Sequence, residues 1–212
     1  MTTNRLRFLP LLAVVSMVLL LVGCPLQPEA TPDTRFYVLG TVPQEEPALA
    51  GARTNPPLVI DLASLRLPQY LQRTQIVTRV DENRLLLSDY DQWGGSLEKN
   101  MLRVIATNLG RLLKTPEVYI AARRTPSGVD AQVEIEVMQF ERGPDGRAIL
   151  AAQWRILGDR EEEVLVSKIT DLSSEAVGAD DSMATTVSAM TGLIAELSRQ
   201  IAAAIVVTQS RT

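Results

Sequence analysis

The sequence predicts an α+β domain: a mixed, largely antiparallel sheet with two long helices packed on it. Three observations carry this. From Val129 to Val137, Val129, Ala131, Val133, Ile135 and Val137 point one way and Asp130, Gln132, Glu134 and Glu136 the other. Such strict alternation belongs to an antiparallel strand with one buried and one wet face. After Ser96, the residues Leu97, Met101, Ile105, Leu109 and Leu112 recur at helical spacing. Near the C-terminus, Met183, Val187, Met190, Ile194, Leu197, Ile201 and Ala204 step by three and four. They form an apolar stripe wide enough to cover one side of a sheet. The stripe is short and Ala-rich, so core packing fits it better than a coiled-coil seam.

The chain begins with a targeting segment. Arg5 and Arg7 precede an apolar run, Phe8–Val22, broken only by Pro10 and Ser16. A charged entry, an apolar stretch and a small residue before the cut make a secretory signal. The run is shorter than the ~20 residues a spanning helix needs. Pro10 and the polar turn after Cys24 also argue against a plain transmembrane anchor. The segment ends in Leu21-Val22-Gly23-Cys24, and Cys24 is the only cysteine of the chain. This tetrad resembles the lipobox of bacterial lipoproteins. There the thiol takes a diacylglycerol and then becomes the new N-terminus. The expected organisation is a signal peptide over Met1–Gly23, a lipidated tether over Cys24–Thr34 and a folded domain over Arg35–Thr212. The tether carries Pro25, Pro28 and Pro32 among polar residues, the composition of an extended linker. Pro25 stands where Asp tends to retain lipoproteins of Gram-negative bacteria in the inner membrane. By that resemblance this chain is expected at the outer membrane, facing the periplasm.

Composition narrows the function classes. Over 212 residues the formal net charge is −4, and loss of Arg5 and Arg7 with the signal makes it two units more negative. Nucleic-acid binding, which needs a basic face, is disfavoured. The mature chain is large enough to bury a core without disulfides, and one cysteine can form none internally. There is no histidine, which removes the usual triads, common zinc sites and a proton shuttle near neutral pH.

The remaining elements follow from local signals. Arg35–Gly40 is β-prone and stops at a glycine. Thr41–Pro57, rich in Pro, Glu, Ala and Gly, is expected to be a mobile loop. Leu58–Leu65 alternates in part, with Leu58, Ile60 and Leu62 opposite Asp61. Leu67–Arg73 reads as a turn. Gln75–Val80 and Arg84–Leu87 form a hairpin around Asp81-Glu82-Asn83, and Tyr90–Gly95 is expected to be a loop. The first helix is capped by Ser96, carries Glu98 at its positive end and stops at Pro116. Glu117–Ala122 is a short strand. Ala148–Leu157 and Glu163–Thr170 complete a meander with Val129–Val137. Asp180-Asp181-Ser182 caps the last helix.

Candidate chemistry is sparse. Glu134 and Glu136 are paired carboxylates on a strand face, where solvation is the ordinary state. Glu161-Glu162-Glu163 is a charge run beside a turn. Capping accounts for Asp180 and Asp181, no glycine-rich phosphate loop is present, and no serine has a histidine partner. No catalytic, cofactor-binding or metal residue is expected.

One block differs in kind. Leu67-Pro68-Gln69-Tyr70-Leu71-Gln72-Arg73 is followed by Gln75-Ile76-Val77-Thr78-Arg79, then Asn83-Arg84-Leu85, Trp93 and Leu97. Here the chain resembles the ABC-type transport auxiliary lipoprotein family, the lipoprotein component of paraquat-inducible-type intermembrane transport systems. That family has a Leu-Pro-x-Tyr-Leu-x-Arg turn, an Ile-Val-x-Arg strand and a Trp shortly before its first long helix. The family often follows its Trp with Ala-Glu-Pro-Leu, whereas this chain has Gly94-Gly95-Ser96-Leu97. A contact made by that acidic residue is not carried over. The resemblance implies a non-catalytic accessory subunit of a system moving lipid or another hydrophobic cargo between envelope membranes. Its implied partners are ABC transporter subunits and an Mce-domain protein; self-association is left open. The alternative is a structural envelope lipoprotein that scaffolds another assembly without a transport role. Pro68, Tyr70, Leu71, Arg73 and Trp93 then form a candidate docking patch, since Tyr, Trp and Arg are enriched in binding hot spots. The competing reading makes Tyr70 and Trp93 sheet-edge packing and pairs Arg73, Arg79 and Arg84 with Asp89 or Asp91. The residues alone leave both open.

Overall fold

The computed structural model describes residues 32–52, 54–120, 128–158, 163–176 and 182–210. The signal, Cys24, Asp180, Asp181 and the Glu161-Glu162 part of the charge run lie outside these residues. Eight strands form one mixed sheet: β1 Arg35–Tyr37, β2 Ile60–Arg66, β3 Gln75–Asp81, β4 Arg84–Trp93, β5 Val118–Ile120, β6 Ala131–Arg142, β7 Arg147–Leu157 and β8 Val164–Ala176. Two helices, α1 Leu97–Leu113 and α2 Met183–Gln209, complete the α+β fold that the alternation and the two stripes predict.

Strand β6 is the axis of the sheet. One edge pairs antiparallel with β7, which pairs antiparallel with β8. The other edge is shared by two strands placed end to end. β2 runs parallel to β6 from Ile60↔Ala131 to Arg66↔Glu136, and β3 meets it at Thr78↔Arg142. The sheet therefore forks, with β5 beyond β2 on one limb and β4 and β1 beyond β3 on the other. The 67–74 turn, containing a single 3-10 turn over Gln69–Leu71, sits in the fork.

The alternation of β6 places Ala131, Val133, Ile135 and Val137 in the core. It then breaks at a bulge between Val137 and Gln139. A bulge inserts one residue and changes which parity faces inward, so Phe140 continues the core face and Glu141 falls opposite. Period-two reading stops at the bulge, and the strand ends five residues later than the pattern predicts. β4 also runs on to Trp93 through a stretch expected to be a loop. Its polar Asp91 is tolerated in a strand because Arg35 Nε donates to it at 2.8 Å and Tyr37 Oη at 3.1 Å.

The helices cover one face. α1 begins where Ser96 Oγ accepts the Lys99 amide and ends at Lys114, held in the left-handed region at φ 51°. α2 begins where Ser182 Oγ accepts the Thr185 amide. Their seam holds a polar pin. Fully buried Asn108 donates to Ser198 Oγ at 3.1 Å and accepts the Val42 amide at 2.9 Å. The 41–52 stretch is consequently a strap across both helices. Glu46 takes a bidentate contact from Arg199 at 2.6 and 3.2 Å, and the Leu49 amide reaches Leu112 O at 3.1 Å. Its backbone groups bond to helix side chains and carbonyls, which composition does not reveal.

The face assignment is testable. Val133 is fully buried, whereas Glu134 is half-exposed and pairs with Arg155 at 2.9 Å. Val133→Asp buries an unpaired charge and lowers stability by several kcal/mol, about 3 or more, by urea denaturation. Glu134→Gln changes it by less than about 1 kcal/mol.

Candidate functional site

The family-like block divides into an inner and an outer half. Leu67, Leu71, Trp93 and Leu97 are buried in the core cluster. Trp93 is 4% exposed and terminates strand β4, its amide donating to Thr74 O at 2.7 Å. The expectation that it sits on a loop is therefore corrected: pairing with β1 and β3 draws it into the sheet. Pro68 is half-buried, whereas Gln69, Gln72 and Arg73 face solvent. Gln72 Nε2 donates to Leu67 O at 2.7 Å and closes the turn on itself.

Tyr70 stands between the halves, and its partner is a residue that sequence reasoning missed. The 137–141 edge of β6 lies between the end of the β2 ladder and the start of β3. Glu141, 0% exposed, fills that place. It accepts from Tyr70 Oη at 2.7 Å, from Arg79 Nε at 2.8 Å and from the Phe140 amide at 3.0 Å. Tyr70 Oη also lies 3.4 Å from Met138 O, the carbonyl at the bulge. Tyr70 and Arg79, separate positions of the quoted motif, thus converge on one carboxylate. Burial, reinforced by that carboxylate, holds the Tyr70 phenol well above its ordinary value. The expected ion pairs with Asp89 or Asp91 are replaced: Arg79 pairs with Glu141 and Arg84 with Asp81, while Asp91 is taken by Arg35. Asp89 and Asp91 are nearer in sequence, but the fork brings Glu141 nearer in space.

Outside this network, the turn and the start of α1 enclose an open cleft of about 280 Å³. Leu67 and Leu71 form its floor; Gln72, Arg73, Ser96 and Glu98 form its rim. Arg73 is exposed, and no carboxylate pairs with it among the described residues. The Gly94-Gly95 approach is conformationally specific. Gly95 has φ +148°, and a Cβ on Gly94 would lie 3.2 Å from Val38 Cγ1. This chain replaces the acidic family position with a bend that delivers Ser96 to the cap of α1. Glu134, Glu136 and Arg155 lie by contrast on the helix-free face of the sheet. No group of three or more metal-ligating side chains is found among the described residues.

The Glu141 network has measurable consequences. Glu141→Ala strands Arg79, Tyr70 and the Phe140 amide together and costs about 3–5 kcal/mol in urea denaturation. Tyr70→Phe loses one hydrogen bond to a charged acceptor, about 1.5–3 kcal/mol at neutral pH. The fold binds the protonated phenol preferentially. Its contribution is complete below the ordinary tyrosine value near pH 10 and declines as pH rises above it. The stability gap between parent and Tyr70→Phe therefore narrows in alkaline buffer.

Comparison with known proteins gives the fold its relatives. A model of the ABC-type transport auxiliary lipoprotein component matches residues 37–202. No curated protein matches the sequence. Among solved structures, a protein from Xanthomonas campestris is 12% identical with a TM-score of 0.67, covering 84% of this chain and 98% of that one. An uncharacterized protein is 17% identical with a TM-score of 0.60, covering 81% and 97%. A putative lipoprotein from Caulobacter crescentus, 16% identical, covers 50% of this chain and 80% of its own at a TM-score of 0.35. The first two of these structures share the fold with this chain, whereas the family match spans most of the sequence, and the chain belongs to the family of ABC-type transport auxiliary lipoprotein components.

Proposed function

We propose that this chain is an outer-membrane lipoprotein facing the periplasm, anchored through Cys24. In this reading it serves as a non-catalytic docking subunit of an ABC/Mce-type system that moves lipid or another hydrophobic cargo between envelope membranes. Membership of the auxiliary lipoprotein family is the observation that carries this reading. The lipobox-like tetrad before Cys24 and the proline-bearing segment after it supply the anchor and its tether. An accessory subunit acts through a surface, and the cleft beside the 67–74 turn supports one. Its floor is apolar, and Arg73 offers a planar fork to a carboxylate or phosphate. Pro68 and the Gln72–Leu67 closure hold the turn in one shape, which lowers the ordering cost of docking. Leu71 and Trp93 contribute from beneath by supporting the cleft, and Tyr70 by locking the turn to β6.

Two experiments test the proposal. Cys24→Ser yields a product without acyl chains that no longer fractionates with the outer membrane, since stable attachment takes more than one chain. A Ser variant that stays in that fraction at the mature mass would refute the anchor. Arg73→Glu leaves stability within about 0.5 kcal/mol of the parent and abolishes copurification with the transport partner. Retained copurification at unchanged stability removes the cleft from the docking surface.

A further inference from the structure

The two most exposed large apolar side chains among the described residues are Phe36, at 67%, and Val38, at 64%. Single exposed apolar residues are ordinary. These two are alternate residues of one segment, so they share a face. Among the described residues strand β1 is an edge strand paired with β4 alone, and three contacts hold its end. The Gly94 amide donates to Tyr37 O at 2.8 Å, the Leu39 amide to Asn100 Oδ1 at 2.8 Å and the Gly40 amide to Thr191 Oγ1 at 3.2 Å. The Asn100 contact seats the segment against α1 on the side where Arg103 lies, and Lys99 stands one turn before Arg103 on the same helix face. Val38, Asn100 and Arg103 line one small hollow. Lys99 and Arg103 are exposed, and no carboxylate pairs with either among the described residues. Arg35 is engaged by Asp91, and Glu98 faces the neighbouring cleft. The domain as a whole is acidic, so this apolar–cationic face runs against its average.

We infer that the face formed by Phe36, Val38, Lys99 and Arg103 rests on an anionic phospholipid surface, that of the membrane holding the anchor. The inference rests on the reading of Cys24 as the lipid attachment site. Chain length argues for this occupant. Ten residues separate Cys24 from Arg35, and a fully extended chain over that stretch spans at most about 40 Å. Any surface beside β1 is therefore presented to the bilayer at high effective concentration, and modest contacts suffice. The composition fits the occupant: an aromatic and a β-branched side chain suit the acyl boundary, and cations suit anionic headgroups. The inference also gives the anchored domain a preferred orientation, with β1 and the start of α1 toward the lipid.

The test uses the full lipidated protein reconstituted into vesicles of phosphatidylcholine alone or with phosphatidylglycerol. Trp93 and Trp154 are buried, so Phe36→Trp adds one exposed indole over a shielded background. The expected result is a blue shift of that indole and quenching by brominated lipid when phosphatidylglycerol is present. Adding Lys99→Glu and Arg103→Glu should weaken the quenching on the order of ten-fold, with the melting temperature unchanged. A chain that floats with vesicles while the indole stays solvent-exposed overturns the inference and leaves the anchor intact. Equal quenching in both vesicle types, insensitive to the charge reversals, overturns the anionic preference. Shielding that appears only after a transport partner is added assigns the face to protein and overturns the lipid assignment. A Cys24 without acyl mass overturns the reading on which the inference stands, and the inference with it.

Discussion

The rest of this structure depends on one buried carboxylate. Glu141 sits where the central strand has a bulge and where two neighbouring strands leave a space along its edge. Unpaired backbone groups in such a place would be costly. Glu141 answers the Phe140 amide with its own side chain, draws Arg79 across from β3 and takes the Tyr70 hydroxyl from the turn. A buried charge is tolerable only when fully paired, and here every partner comes from a different element. Removing the carboxylate would free the turn, the β3 limb and the bulge at once. The outer surface of the turn owes its shape to this interior contact.

A second constraint acts on the opposite face. The helices are joined to each other and to the 41–52 strap through Asn108, while Arg199 and Glu46 close the far side. Apolar packing supplies most of the cohesion there, through Leu109, Leu112, Ile194, Leu197 and Ile201. The polar pin gives the helices a single register. Non-directional burial alone would allow neighbouring helix registers with similar area.

Legibility in the sequence followed the range of the interactions. The alternation of Ala131–Val137, the capped start of α1 at Ser96 and the stripe of α2 depend on nearest neighbours along one element, and all were readable. Elements set by remote partners were not. Asp91 looked like loop chemistry because Arg35, which satisfies it, lies 56 positions away. The strap looked mobile because its hydrogen bonds end on helix residues more than 60 positions away. Glu141 was hidden because an acidic residue in an alternating strand ordinarily marks the wet face, and the groups that cover it, Tyr70 and Arg79, lie more than 60 positions away. Its one signal was indirect: Tyr70 and Arg79 lie in one motif without an evident mutual purpose. Of the candidate patch, Arg73 is exposed and Pro68 half-buried, whereas Trp93 and Leu71 belong to the packing beneath.

The position of β1 also decides how the domain responds to force. It is the first strand of the domain, and it holds β4 through only three residue pairs in parallel register. Tension entering through the N-terminal segment reaches this strand before any other and loads its pairing with β4. Beyond β1, the load passes to Leu39 on α1 and to the strap. The Glu141 junction lies further along the chain, behind both. A pull on the domain would be met by this short strand first, while the cleft and its supporting core keep their shape.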